Sequence, residues 1–342
     1  MVFGNSDMPS YFRPHLPFIT IFIHFVRNQL NLRPDFFYTD GNQGCLRESC
    51  EFCLRRGCGK LKNRTEGVHL TMKSIKYTGF RRTISEYTKL ASRMPVIHET
   101  TQIRIKGLKS FCKKNGVTLT PVIMKVLASV QKENPIINSF IARNIFLRKK
   151  IYFPDEVDMA VAIEMHEFDC HFSTFAVFRH INRKSIFDIR NEINNIRDLP
   201  YNKMPLSWLT SILDRCPDFV KSMGLKMVSQ VPVLRKYIFG TMGFSSLGKY
   251  GLKNFDTLFN LTFGYGIGGI EDKVVIENGT PEVVPVLNIT QTSDHCIVDG
   301  AEAARILSEI KRIFESGEYT AICGMESEKA LGKSGDANRL KN

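Results

Sequence analysis

The chain of 342 residues offers no good candidate for a membrane span. Its apolar stretch from Pro17 to Phe25 is interrupted by His24 and bounded by Arg13 and Arg27, whereas a spanning helix needs about 20 apolar residues. No small-residue cleavage site follows it, which argues against a secretory leader. A short buried helix or strand is the first reading of this stretch, and an interfacial anchor the second. Acidic residues are also short: 34 against 47 Lys and Arg, a formal charge of +13. That balance suits a polyanionic ligand or surface and selects none by itself. A secreted disulfide framework is missing as well, because the nine cysteines show no such spacing. Reduced thiols and a cytoplasmic location are therefore expected. With 43% hydrophobic and 24% charged residues, the chain reads as a soluble globular protein with ample length for a core.

Three segments are expected: an N-terminal extension over residues 1–68, one catalytic domain over 69–320, and a poorly ordered polar tail over 321–342. The extension holds Cys45, Cys50, Cys53 and Cys58 within basic sequence. Four thiolates so close together can bind zinc tetrahedrally. Their spacing lacks the two well-separated Cys-x2-Cys knuckles of a common zinc ribbon, so reduced cysteines in a loose segment are favoured over metal.

Further on, Ile84, Tyr87, Leu90 and Ala91 mark a helix opened by Phe80-Arg81-Arg82. Thr100 to Ile105 reads as a strand. Thr120 and Pro121 suggest a helix start, with Pro121 at the first position. Met204 to Phe239 reads as helical with breaks near Pro217 and Pro232. The glycines of 263–269 do not follow the Gly-x-Gly-x-x-Gly order and precede strand-like sequence, which excludes a dinucleotide loop. Asn278-Gly279 between apolar runs marks a hairpin. His166, Cys170 and His171 invite a metal reading, discounted because no acidic ligand follows at useful spacing.

The chain is organised around residues 291–314. An apolar strand ends there, turns at Asp299-Gly300, and continues as a helix with Ile306, Leu307, Ile310, Ile313 and Phe314 on one face. His295, just before the turn, is a candidate general base, because imidazole gains and loses a proton near neutral pH. Asp299 can orient it. Asp299 to Glu302 is also shaped like a capping box, with Asp299 as N-cap and Glu302 three residues on. A buried histidine beside a helix cap is the plainer reading of such a pattern.

Residues 294–307, Asp-His-Cys-Ile-Val-Asp-Gly-Ala-Glu-Ala-Ala-Arg-Ile-Leu, resemble the Asp-His-Arg-x-x-Asp-Gly-Ala-x-Ala-Ala-Arg-Phe-Leu signature of dihydrolipoamide acyltransferases. Residues 240–251, Gly-Thr-Met-Gly-Phe-Ser-Ser-Leu-Gly-Lys-Tyr-Gly, resemble that family's Gly-Thr-Phe-Thr-x-Ser-Asn-Leu-Gly-x-x-Gly. Weaker likenesses extend from about residue 75 to 318. The resemblance implies an α/β fold, the mixed sheet flanked by helices of the chloramphenicol acetyltransferase-like superfamily, forming trimers with sites between subunits. It implies a coenzyme A-dependent acyltransferase in which His295 deprotonates a thiol. Ser245, from a neighbouring subunit, would steady the oxyanion, and Asp299 would hold the loop.

Arg81 or Arg82 would pair with Asp299, and Gly300 would support the turn. The acceptor would be a thiol, or a lipoyl group supplied in trans, since no lipoyl-type hairpin with a central Asp-Lys-Ala is recognised. Nucleic acid is not expected as a partner. The family's arginine after the histidine is Cys296 here, expected to pack rather than act as a nucleophile. A silent trimeric scaffold is the alternative, and a zinc-dependent or membrane-surface adaptor the third reading.

Overall fold

The computed structural model describes residues 80–324 other than 144–147, 168–169 and 278. The apolar stretch at 17–25, the cluster Cys45, Cys50, Cys53 and Cys58, and the chain beyond 324 lie outside the described residues. The chain opens with α1 (Phe80–Ala91), β1 (Val96–Arg104), α2 (Leu108–Lys114) and α3 (Leu119–Glu133). Next come a small hairpin, β2 (Phe140–Arg143) and β3 (Lys149–Tyr152), and the pair β4 (Met159–Glu167) and β5 (Cys170–Phe178). Four helices follow: α4 (Ile186–Arg197), α5 (Ser207–Arg215), α6 (Asp218–Gln230) and α7 (Pro232–Phe239). The chain then forms β6 (Met242–Ser246), the long hairpin β7 (Phe263–Glu277) and β8 (Thr280–Asp294), and α8 (Gly300–Ser316).

Six strands form one mixed sheet in the order β1-β8-β7-β6-β4-β5. The pairs β4–β6 and β6–β7 are parallel, and β1–β8, β7–β8 and β4–β5 are antiparallel. The metal-like set falls in the β4–β5 hairpin, with His166 opposite His171 in the ladder. Among the described residues no helix is long and apolar enough to cross a membrane.

The main core lies between the sheet and α3, α4 and α8. Ile306, Leu307, Ile310, Ile313 and Phe314 are all buried there, each contributing about 2 kcal/mol of transfer free energy before ordering costs. Gly317, at φ 84°, ends α8 in the left-handed conformation that glycine adopts without strain. Residues 319–324 form a further helical turn after Gly317. Tyr319 and Cys323 are buried in the same core.

One local expectation is corrected and another holds. The third helix begins at Leu119 with Thr118 as N-cap, so Pro121 sits at its third position, where a missing N–H still costs no intrahelical bond. Met204 to Phe239 does break at Pro217 and Pro232, giving α5, α6 and α7.

The far side of β6 and β7 is a stripe of small residues. A Cβ on Gly243 or Gly264 would lie 2.4 Å from the Phe259 ring, and one on Gly268 would lie 1.8 Å from the Lys253 carbonyl oxygen. The loop between Gly251 and Thr262 therefore lies directly on the sheet, which only glycine at these positions permits.

A second core joins Leu213, Leu225, Val228, Ile238 and Phe239 to Ala160 and Val177. Lys221 is fully buried in this region, and among the described residues its Nζ has no hydrogen-bond partner. Burial holds its pKa below the usual lysine value, with Arg82 adding to the effect and Asp214 opposing it. A group whose folded pKa is depressed in this way destabilises the fold below that pKa, and the penalty fades as pH rises to its unfolded value. Lys221→Met is expected to raise stability by about 1 kcal/mol at pH 7. The gain should shrink towards pH 10; urea midpoints at the two pH values check both statements.

Candidate active site

β8 carries the chain to Asp294, and the next residues form a tight turn before α8. The His295 amide donates to the Pro95 carbonyl at 2.8 Å, which ties the turn to the α1–β1 junction. Asp294 Oδ1 accepts from the Cys296 amide at 3.0 Å, and the Ile297 and Val298 amides return to the Asp294 carbonyl. The backbone is thus fixed on both sides of the imidazole, which itself is 47% exposed.

His295 Nδ1 lies 3.0 Å from the Val298 carbonyl oxygen. A carbonyl only accepts, so Nδ1 carries the proton and Nε2 keeps its lone pair. Among the described residues Nε2 has no hydrogen-bond partner. The ring is therefore held in the tautomer a base requires. Asp299 plays a smaller part than a catalytic carboxylate would. Its Oδ1 is 3.9 Å from Nδ1, and its side chain is 92% exposed. At that distance in water the attraction to an imidazolium is about 1 kcal/mol.

The capping box is not formed. Asp299 does occupy the N-cap position, with extended backbone and its carbonyl accepting from the Ala303 amide, but its side chain makes no cap hydrogen bond. Glu302 pairs instead with Arg305 at 2.6 Å. The expected arginine partner is also corrected. Arg82 forms an ion pair with Asp218 on α6 at 2.7 Å. Asp299 has His295 as its charged neighbour instead. Gly300 opens α8, where a Cβ would meet only Ile97 Cδ1 at 3.9 Å, so no steric need for glycine arises within this chain.

Cys296 is exposed rather than packed. Its thiol is pushed up by partial burial, and the Asp294 carboxylate adds to the shift. It is therefore a poor thiolate at neutral pH. His98 bonds through Nδ1 to Thr292 Oγ1 at 2.9 Å and helps lock β1 to β8.

Ser245 lies on β6, opposite Gly266 of β7, which in turn faces Thr290 of β8. It is half-buried, and among the described residues its hydroxyl makes no hydrogen bond. The sheet holds it far from His295: two interstrand steps and the five residues from Thr290 to His295 put the two positions roughly 19 Å apart. One copy of the chain does not bring base and hydroxyl together.

A feature that sequence reasoning missed adjoins the turn. A cavity of about 510 Å³ is lined by Asp294 and Cys296, by Arg93, Arg143, Lys149 and Lys226, and by Arg235 and Asn260. Burial pushes the Arg235 guanidinium down to about 10, with the Asp294 charge opposing the shift. It thus stays cationic at neutral pH. Its contributors are scattered from residue 90 to residue 296, so no local motif announces it.

The family profile described as 2-oxoacid dehydrogenases acyltransferase (catalytic domain) matches residues 70–203 and 239–322. The dihydrolipoyllysine-residue acetyltransferase component of the pyruvate dehydrogenase complex of Rickettsia bellii is 33% identical over 79 residues, covering 22% of this chain and 19% of that protein. The corresponding component from Staphylococcus epidermidis is 26% identical over 224 residues, 64% of this chain and 44% of that one. The chain thus spans about a fifth of the first relative and under half of the second. Among solved structures, the dihydrolipoamide acetyltransferase of Azotobacter vinelandii superposes with a TM-score of 0.55 at 17% identity, over 76% of this chain and 99% of that one.

Proposed function

The chain belongs to the family of 2-oxoacid dehydrogenase acyltransferase catalytic domains, and on that footing we propose that it transfers an acyl group between coenzyme A and a thiol. The observation that carries the reading is the His295–Val298 hydrogen bond, which leaves Nε2 bare as a proton acceptor. Nε2 takes the proton of the incoming thiol, and the sulfur attacks the thioester carbonyl. A tetrahedral oxyanion forms. It collapses by expelling the original thiolate, which recovers the proton from the imidazolium.

Ser245, supplied by a neighbouring copy in a trimer, donates its hydroxyl to that oxyanion. A fixed donor of this kind is worth about 3 kcal/mol. The solved structure of the Azotobacter vinelandii enzyme concerns the role of a serine, a histidine and an asparagine in its catalytic mechanism. Its histidine and asparagine stand four residues apart, as His295 and Asp299 do. That spacing supports the assignment of the base. Asp299, at the asparagine's place, holds the turn and adds weak charge stabilisation. The acceptor is dihydrolipoamide or a lipoylated protein acting in trans.

The test is release of coenzyme A from a panel of acyl-CoA esters, with free dihydrolipoamide as acceptor. Release that depends on the acceptor is expected. Its absence with every ester, from protein shown to be a folded trimer, would replace this reading with that of a silent scaffold.

A further inference from the structure

The family profile skips residues 204–238, which hold α5, α6 and nearly all of α7, so these helices are extra to the shared sequence pattern. Helix α6 is apolar on two sides. Val220, Leu225 and Val228 are buried in the clusters beneath it. Phe219, Met223 and Met227 recur every fourth residue and form one outward stripe. Trp208 on α5 is exposed as well, and Ile212, one turn further on, packs against Cys216 and Val220 at the start of α6. The four outward side chains are 39% to 73% exposed. A helix apolar all round is normally covered on every side, and large apolar side chains grouped on a surface mark a contact.

The charge around the stripe selects what covers it. The acidic residues of α5 and α6 are both engaged. Asp218 pairs with Arg82 at 2.7 Å, and Asp214 accepts from Thr83, its carboxyl pushed up by burial. Lys203, Arg215 and Lys226 are exposed, and Lys226 falls within the stripe by its helical position. The face is thus apolar and positive, in a chain of net charge +13. Two copies meeting through this face would set like charges against each other. An anionic bilayer complements both properties. Its headgroups attract the cations, and Phe, Met and Trp side chains enter the boundary between headgroups and acyl chains, the level at which tryptophan is enriched.

We propose that the α5–α6 face docks on an anionic membrane surface. The attachment is peripheral, with side chains entering the headgroup layer. Lys226, Ser229 and Gln230 of α6 also line the cavity that includes Asp294 and Cys296, the residues on either side of His295. Docking therefore sets the base at the edge of the bilayer, within reach of acyl donors or acceptors held there. The docking itself does not rest on the acyltransferase reading.

Trp208 is the single tryptophan of the chain, so its fluorescence reports this face alone. The full chain is titrated with vesicles of phosphatidylglycerol or of phosphatidylcholine. With phosphatidylglycerol the emission is expected to shift to the blue, iodide quenching to fall, and the protein to float with the vesicles. Phosphatidylcholine should bind far more weakly, and added salt should release the protein. Phe219→Ser combined with Met223→Ser is expected to weaken binding at least about tenfold. Acyl transfer between soluble substrates should not change in that double variant, which keeps loss of docking apart from loss of turnover. Absence of binding to either vesicle overturns the proposal. So does binding that leaves Trp208 unchanged or that the double variant retains in full. Emission already blue and shielded without lipid also overturns it. Where that shielding depends on protein concentration the face belongs to a second copy, and where it does not, to another segment of the chain.

Discussion

A His295→Ala enzyme is expected to fold and assemble normally yet lose about 1000-fold in acyl transfer to dihydrolipoamide, within the range general-base catalysis supplies. The expectation of a normal fold follows from exposure. The imidazole is 47% exposed, and the turn around it is held by backbone bonds to Pro95 and Asp294, which alanine preserves. What alanine removes is Nε2, the proton acceptor near the substrate thiol. A 1000-fold loss corresponds to about 4 kcal/mol of transition-state stabilisation.

Asp299→Asn gives the contrast that identifies the mechanism. Its carboxylate is 3.9 Å from Nδ1 and 92% exposed, so its attraction for the imidazolium is about 1 kcal/mol before screening. The loss should therefore stay below about tenfold. Single-turnover measurements on both variants, at saturating acyl-CoA, separate these values from effects on binding. A large loss at Asp299 with a small one at His295 would move the base elsewhere.

The sequence exposed the parts of this arrangement that are local. Helix α8 was legible because five buried residues repeat at helical spacing in Ile306 to Phe314, and the β7–β8 hairpin because Asn278-Gly279 permits only a few turns. His295 and Ser245 were singled out through two motifs rather than through periodicity, since neither side chain belongs to an apolar face. Interactions between distant segments were not legible. The partner of Arg82 is Asp218, on a helix whose packing against α1 no spacing rule encodes. Asp299 was assigned a cap correctly by position and wrongly by side chain, because an exposed carboxylate can stay solvated while water serves the free amides of the first helical turn. The cavity beside His295 appears only when residues from α6, α7 and the loop before β7 meet around one space. The burial of Lys221 was hidden for the same reason: on a sequence the residues of α6 look like an ordinary amphipathic helix.

Mixing two dead variants should restore activity. Ser245→Ala is expected to lose roughly 100- to 1000-fold, the usual effect of removing one oxyanion donor, and His295→Ala about 1000-fold. The register β6–β7–β8 holds the two residues roughly 19 Å apart in one copy, so a single chain presents them to different substrates. A trimer changes this, because the His295 end of one copy can meet the Ser245 end of the next. When the two variants are co-expressed, each interface takes its histidine from one chain and its serine from another. Random assembly then makes about one quarter of interfaces fully native. Mixed trimers are expected to recover about 25% of wild-type turnover, at least about 25 times more than either parent. If base and hydroxyl instead acted within one copy, no mixture could rebuild a site, and activity would stay at the mean of the parents. Parent homotrimers combined after assembly, without exchange of subunits, should remain inactive, and this control separates a shared site from simple addition of activities.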